Sequence, residues 1–257
     1  MRHRIVVTSA VLAGALSSPL WAIDHANLDE GRPLRFEDAY PVAHGEKVFE
    51  AGVGASFERK RDDRVFLGFD ALYGVLPNTQ IGLGTSFSSD PHQVEGQEKS
   101  GDLRLSALYN FNQETLDLPA FALKGQANFP TGVDSAGADL GFTGIATKSF
   151  GRLGLHLNAG YTFLSGEEAG ERDGQYKVAL GTSYPLGAPQ NTRTTVLADL
   201  FTQQSTLKGD DNVYGAEAGV RYQLGTQSAV DIGVGSEFSG PAQRSSLYLT
   251  AGISYSF

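Results

Sequence analysis

Charged and amide side chains recur at two-residue spacing inside otherwise apolar stretches of this sequence. His156 and Asn158 have this spacing, and so do Lys124, Gln126 and Asn128. Side chains two residues apart in an extended strand point to the same face, so these groups should share one surface. That surface could line a channel or bind a polar ligand, or its opposite charges could neutralise one another in a filled interior. The candidate lining residues are Glu50, Asp70, Arg104, Lys124, Asn128, His156, Asn158, Lys177, Asp199, Glu217, Arg221 and Asp231.

His156 and Asn158 could also belong to a nucleophilic catalytic site, which would need a serine beside them. No serine stands at a matching two-residue spacing, and both residues are predicted to face inward. His44 and His92 are predicted to be exposed, and no group of residues has the spacing of metal ligands. The sequence therefore predicts no catalytic residue, no metal site and no cofactor, and it indicates that the protein is not an enzyme.

Three glycine pairs resemble fragments of a nucleotide-binding loop, at 52–54, 82–84 and 233–235. Each pair is followed three residues later by a phenylalanine, and no helical pattern follows, which argues against phosphate binding. We interpret these glycines as interior positions where larger side chains would crowd the space.

The elements that must position these residues are strands, because apolar and polar residues alternate with period two from residue 47 to the end. In the last strand, Leu247, Leu249 and Ile253 point one way, whereas Ser246 and Tyr248 point the other. About twelve such stretches are present, although ten or fourteen strands stay open as alternatives. They lie near 47–59, 64–76, 79–88, 101–111, 119–129, 138–150, 152–164, 174–185, 193–203, 213–224, 228–238 and 245–257.

The apolar face of these strands points to an all-β, antiparallel transmembrane β-barrel. Outward-facing aromatic residues are predicted to fall into two bands, as expected at the two interfaces of a membrane. A soluble sandwich would instead bury its apolar faces between two sheets. Tyr255 and Phe257 end the chain as a predicted signal for the barrel-assembly machinery, which with outer-membrane lipid is an expected partner.

Two segments precede the predicted barrel of residues 47–257. Residues 1–22 combine basic residues, a short apolar stretch and Ala22, a pattern typical of a removed signal peptide. Residues 23–46 are polar and form either a flexible periplasmic tail or a plug that folds into the inner mouth. We favour the plug, in which Arg32 and Arg35 would pair with acids of the lumen.

Composition narrows the function classes further. The chain has 257 residues, a formal net charge of −9, no cysteine and 32 glycines. An acidic chain without a basic block argues against nucleic-acid binding. The absence of cysteine excludes disulfides and thiolate metal sites, and the acidic excess would give an open pore a weak cation preference.

Several stretches resemble the outer-membrane proteins of the meta-pathway of phenol degradation family, which are described as transporters. The matching parts are 32–39, 73–84, 129–132 and 155–161, and together they indicate a resemblance over most of the mature chain. The resemblance implies passage of small hydrophobic or aromatic compounds, and it supplies no functional residues.

We therefore expect a protein of the outer membrane of a Gram-negative bacterium that acts as a passive, porin-like channel for small molecules. The alternative is a non-conducting barrel that works through its extracellular loops as a structural or surface-interaction protein. The two differ in whether Arg104, Lys124, Lys177 and Arg221 pair across the lumen and leave no path.

Overall fold

The computed structural model describes residue 28 and residues 32–59, 63–89, 100–133, 135–165, 169–242 and 244–257. The predicted signal peptide lies outside these residues. The predicted barrel of twelve antiparallel strands is confirmed. The strands are β1 (Lys47–Glu58), β2 (Arg64–Leu76), β3 (Thr79–Ser88), β4 (Leu103–Asn112), β5 (Ala120–Phe129), β6 (Asp139–Phe150), β7 (Leu153–Phe163), β8 (Gly174–Leu186), β9 (Thr194–Gln203), β10 (Val213–Gln223), β11 (Ser228–Ser239) and β12 (Ser245–Ser256).

Each strand pairs with its neighbour in sequence, and β1 pairs with β12 to close the barrel. Gly52 of β1 lies opposite Gly252 of β12 and opposite Gly68 of β2. The N–H of Phe257 donates a hydrogen bond to the Lys47 carbonyl at 3.0 Å, which extends this seam to the last residue. Closure satisfies backbone groups along every ladder, as a sheet surrounded by lipid requires. Among the described residues, no helix is both long and apolar enough to cross a membrane.

The two faces of the sheet differ as the period-two pattern predicts. Outward side chains are large and apolar, and Leu83 and Ile232 remain about half exposed at 49% and 62%. Inward side chains are largely polar, and Ser254 and Ser256 are completely buried. A continuous apolar exterior on a closed sheet is the surface that a bilayer requires.

Aromatic residues are concentrated near the two ends of the outer face. Exposed rings of the outer band include Phe57, Phe87 and Phe238, and exposed rings of the inner band include Tyr109 and Tyr222. Rings of this kind sit at the interfaces between hydrocarbon and headgroups, so the two bands mark the edges of the membrane.

A β-bulge corrects the predicted alternation at the start of β12. The sequence pattern places Ser246 on the inner face, but the pairing of β1 with β12 shifts between Phe57 and Glu58. Ser245 is therefore the buried residue, and its hydroxyl contacts that of Ser56 at 2.7 Å, whereas Ser246 is exposed. A bulge inserts one residue into a strand and so reverses the face of the residues beyond it.

The N-terminal segment, described at Leu28 and from 32 to 46, lies inside the barrel. Leu34 and Phe36 are buried against Leu197 and Phe201 of β9 and Tyr248 of β12. Closer to the inner mouth, Val42 packs with Leu72, and Ala39 packs with Leu108 and Ile145. The buried apolar clusters of this protein thus lie between the N-terminal segment and the barrel wall.

Candidate functional site

Arg35 of the N-terminal segment is the centre of the most extensive polar contact in the lumen. Its backbone N–H and Nε both donate to the Glu217 carboxylate, at 2.7 and 2.9 Å, and a terminal nitrogen donates to Glu237 at 3.0 Å. Its guanidinium also lies 3.9 Å from the centre of the Phe201 ring. Glu217 is further bonded by the Tyr248 hydroxyl. Ion pairing and ring stacking in a partly buried setting hold this residue to β9, β10, β11 and β12.

Arg32 and Pro33 occupy space that glycines leave open. Arg32 pairs with Glu50 of β1, and the Thr250 hydroxyl donates to the Pro33 carbonyl at 2.9 Å. A Cβ on Gly52 would come 2.5 Å from the Arg32 side chain, and one on Gly233 would come 2.5 Å from the Pro33 carbonyl oxygen. Two of the glycine motifs of the sequence therefore accommodate the N-terminal segment.

His156 forms part of the wall against which the N-terminal segment packs. Its ring stacks on Phe36 with 5.0 Å between centroids, and its two nitrogens contact the hydroxyls of Thr147 at 3.2 Å and Ser183 at 2.9 Å. Sequence spacing did not reveal Ser183, because it lies on the adjacent strand β8. A nucleophilic serine must be reached by substrate, yet Phe36 covers this ring, so the contacts indicate an anchoring role.

The middle of the N-terminal segment is held by side chains of β5 and β7, which flank β6 in one wall of the barrel. Asn158 accepts from the Glu37 N–H and donates to the Glu37 carbonyl, both at 2.9 Å, while Lys124 pairs with the Glu37 carboxylate at 2.9 Å. A residue that binds both backbone groups of another fixes the position of the chain as a strand pairing would. The path of the segment is thus defined along its length.

Besides Thr250 and Glu237, four further residues that contact or support the N-terminal segment were absent from the predicted set. Gln80 accepts from the Val42 N–H at 2.8 Å, Thr147 accepts from the Ala39 N–H at 3.0 Å, and Asn110 donates to the Ala39 carbonyl at 2.7 Å. Tyr248, bound to Glu217, is the fourth. Each is a polar residue at an inward position, and that is the only signal by which the sequence could have indicated them.

The remaining predicted residues form ion pairs or polar contacts within the wall itself. Arg221 and Asp231 lie opposite each other on β10 and β11 and pair at 3.3 Å. Gln126 donates to Asn128 at 3.1 Å within β5. Lys177 of β8 faces inward in the same register row as Gly160 and Gln203.

Asp199 is the exception among the buried charges. It lies opposite Glu217 in the pairing of β9 with β10, and its side chain is 4% exposed. Neither carboxylate oxygen has a hydrogen-bond partner in the described part of the chain. A buried carboxylate without a partner is costly, so this group destabilises the lumen if it is ionised.

Asp70 of β2 and Arg104 of β4 form an ion pair that passes over the intervening strand. Their side chains meet at 2.6 Å across Gly84 of β3, where an added Cβ would lie 2.2 Å from Asp70. Arg221 and Asp231 are only 1% and 0% exposed, whereas Arg104 and Asp70 are 20% and 23% exposed. Ion pairing therefore runs along the wall on this side and leaves the lumen in front of it accessible to solvent.

These observations define the class of the protein as an outer-membrane β-barrel with an internal N-terminal segment. The sequence from residue 36 to residue 257 matches the model of the family described as "Putative MetA-pathway of phenol degradation". Because the match spans most of the chain, the protein belongs to this family.

Solved structures with the same fold are outer-membrane proteins. An outer membrane channel from Pseudomonas putida F1 superposes with a TM-score of 0.64 at 12% identity, covering 90% of this chain and all of that one. The NanC porin gives 0.59 at 11% identity, covering 80% and 98% of the two chains. The KdgM porin gives 0.51 at 11% identity, covering 81% and 99%. At these identities the likeness shows the fold, and a search of the curated proteins found no match.

Proposed function

We propose that this protein is a passive outer-membrane channel for small molecules whose inner mouth is closed by its own N-terminal segment. The observation that supports this function is that the lumen charges pair along the wall or with the segment. Arg221 pairs with Asp231, Arg104 with Asp70, and Lys124 with Glu37. Such pairing neutralises the charges while leaving room for solute, and no cofactor or energy source is needed.

The N-terminal segment supports a plug that closes the inner end. Contacts to residues 39–46 come from Gln80, Asn110, Thr147 and Gly74, which lie near the inner ends of β3, β4, β6 and β2. Displacement of this part would open a path between the outer lumen and the periplasm. The description of the family suggests small hydrophobic or aromatic compounds as the solutes. Among these, the charged and polar lumen favours compounds that carry hydroxyl or carboxylate groups.

Recording in planar lipid bilayers tests the channel and the plug together. The full mature chain should show small or infrequent current steps, and deletion of residues 23–44 should raise conductance or open probability. Arg35→Ala is a second variant that weakens the same docking without shortening the chain. Heat-modifiable migration on gels establishes that each variant is folded.

Unchanged conductance after both changes, in barrels that are folded, would rule out the plug. No current from any folded variant would instead favour the alternative of a non-conducting barrel. One observation favours that alternative, since the buried side chains of β7 to β12 fill their half of the lumen. The described residues give no sign of catalysis as the main activity, and its absence stays a prediction.

A further inference from the structure

The lumen is divided into a filled side and an accessible side. On β2, β3 and β4, contacts from the described part of the N-terminal segment fall at the inner end, at Gly74, Gln80 and Asn110. Above that level, six inward residues of β2 to β5 form a polar stripe. The polar stripe consists of Asp70, Ser86, Arg104, Ser106, Gln126 and Asn128, all of which retain part of their solvent exposure.

The register of the sheet places residues of the polar stripe side by side on adjacent strands. Glycine in the same row leaves the space in front of it free of a side chain. Asp70, Gly84, Arg104 and Asn128 lie opposite one another in three consecutive pairings, so they form one row across four strands. Gly84 carries no side chain, and the Asp70–Arg104 pair lies across it. Next to this row, a Cβ built on Gly68 would meet no atom of the described residues within 4 Å, which indicates open space in front of β2.

We infer that solute follows the polar stripe, that the Asp70–Arg104 pair determines its selectivity, and that the solutes are small hydrophilic molecules with hydrogen-bonding groups. This inference rests on the channel function proposed above. Partly exposed ion pairs contribute little to stability because water competes for both partners. A carboxylate or hydroxyl group of a passing solute can therefore replace one partner of this pair. It cannot replace Arg221 or Asp231, because these two side chains are buried in the filled half of the lumen.

The chemistry of the stripe argues against hydrocarbon solutes as its ligands. Guanidinium, carboxylate, amide and hydroxyl groups hold water, and an apolar molecule would displace that water without replacing its hydrogen bonds. A solute with its own donors and acceptors would exchange one set of hydrogen bonds for another. The stripe thus favours sugars, amino acids or other polar molecules over unsubstituted hydrocarbons.

The absence of native cysteine makes the path testable by single-cysteine labelling. Ser106→Cys places a thiol on the polar stripe, and Ser254→Cys places one at a completely buried position of β12. A charged, water-soluble methanethiosulfonate is added during bilayer recording, and each variant is compared with itself before addition. Current through the Ser106→Cys channel should fall at least about twofold, while current through the Ser254→Cys channel should not change.

Selectivity is tested with a matched pair of charge changes. Arg104→Gln should move the zero-current potential in a salt gradient toward cation preference, whereas Lys208→Gln on an exposed outer loop should not. Entry of L-serine into liposomes should fall when the Ser106→Cys channel is modified. A current unaffected by modification at residue 106, or equal shifts for both charge variants, would overturn the inference alone. The absence of any current, both from the full mature chain and from the folded variant that lacks residues 23–44, would overturn the proposed function and this inference together.

Discussion

At the scale of single residues, two carboxylates that both face the lumen differ in whether they have hydrogen-bond partners. Glu217 and Asp199 are directly opposite each other on adjacent strands and are equally inaccessible. Glu217 has bonds from Arg35 and Tyr248, whereas the oxygens of Asp199 have none in the described residues. One carboxylate therefore stabilises the docked segment, and its neighbour does not.

Removing the charge of these two residues should have opposite effects. Glu217→Gln loses charge-assisted bonds to Arg35 and should lower the free energy of unfolding by roughly 1–3 kcal/mol. Asp199→Asn removes a buried group without a partner and should leave stability unchanged or raise it. The measurement is the temperature at which the heat-modifiable form is lost in detergent. Equal losses for both variants would contradict the assignment of partners.

The sequence could identify the lumen residues but not their partners. Period-two alternation assigns a face to each residue, and it predicts an inward face for Glu50, Arg104 and Arg221. Partners depend on the register between strands and on the path of the N-terminal segment, and neither is encoded in a local pattern. The contact of Ser183 with His156, which joins two strands, could not be seen for this reason.

At the scale of elements, interior glycines shape the lumen for two different purposes. Gly181 of β8 accommodates the Phe36 ring, and a Cβ there would lie 2.4 Å from ring atoms. Gly68 of β2 faces open space. The same residue type therefore receives the N-terminal segment at Gly181 and leaves open space among the described residues at Gly68.

This difference predicts unequal responses to the same substitution. Gly181→Ala should displace Phe36 and release the N-terminal segment, because ring and methyl group cannot share the space. Gly68→Ala should leave the segment docked. Limited proteolysis of the folded barrel measures this directly, since a released segment is cut faster. Similar cleavage rates for both variants would contradict the packing of Phe36 against β8.

The turn between β4 and β5 offers a pH-dependent contact outside the membrane. Glu114 of this turn accepts from the Ser149 N–H at 2.8 Å and pairs with Lys148 at 3.2 Å. Burial alone would raise the pKa of Glu114, but the hydrogen bonds from Ser149 and the charge of Lys148 outweigh it and lower the pKa. Lys148, the one outward lysine of β6, is thereby held at the inner rim.

A lowered pKa means that this contact is present above the ordinary pKa of 4.5 and is lost as pH falls through the lowered value. The amide resonance of Ser149 should therefore shift on acidification below about pH 4.5. In Glu114→Gln the same resonance should not titrate. Titration that persists in this variant would show that another group is responsible.

At the scale of the whole molecule, the barrel was predictable because its two faces meet different solvents. Spanning strands are apolar outside and mostly polar or small inside, so the same alternation recurs along the twelve strands of the described barrel. Strand β9 departs from it, because Leu197 and Phe201 face inward against the N-terminal segment. The pattern failed at Ser246, where a bulge adds one residue without a change of composition. The path of the N-terminal segment could not be predicted from the sequence pattern either, since the residues that contact it lie on many different strands.

The role of the chain terminus in assembly is a prediction for the whole molecule. Phe257 and Phe238 are similarly exposed on the lipid-facing surface, at 56% and 59%. If Phe257 is recognised by the assembly machinery, Phe257→Ala should lower the amount of folded barrel in cells several-fold, while Phe238→Ala should not. Both variants should refold alike in detergent. Equal yields of the two variants in cells would show that Phe257 is not part of the assembly signal.

Arg32 lies where the first and last strands meet, and its position has a consequence for the order of folding events. One of its nitrogens donates to Ala51 of β1 at 3.2 Å and to Ile253 of β12 at 3.4 Å, and these two residues are partners in the seam. This contact cannot form until the final strand has arrived. We therefore expect the N-terminal segment to reach its final position around Arg32 only after β1 and β12 have paired.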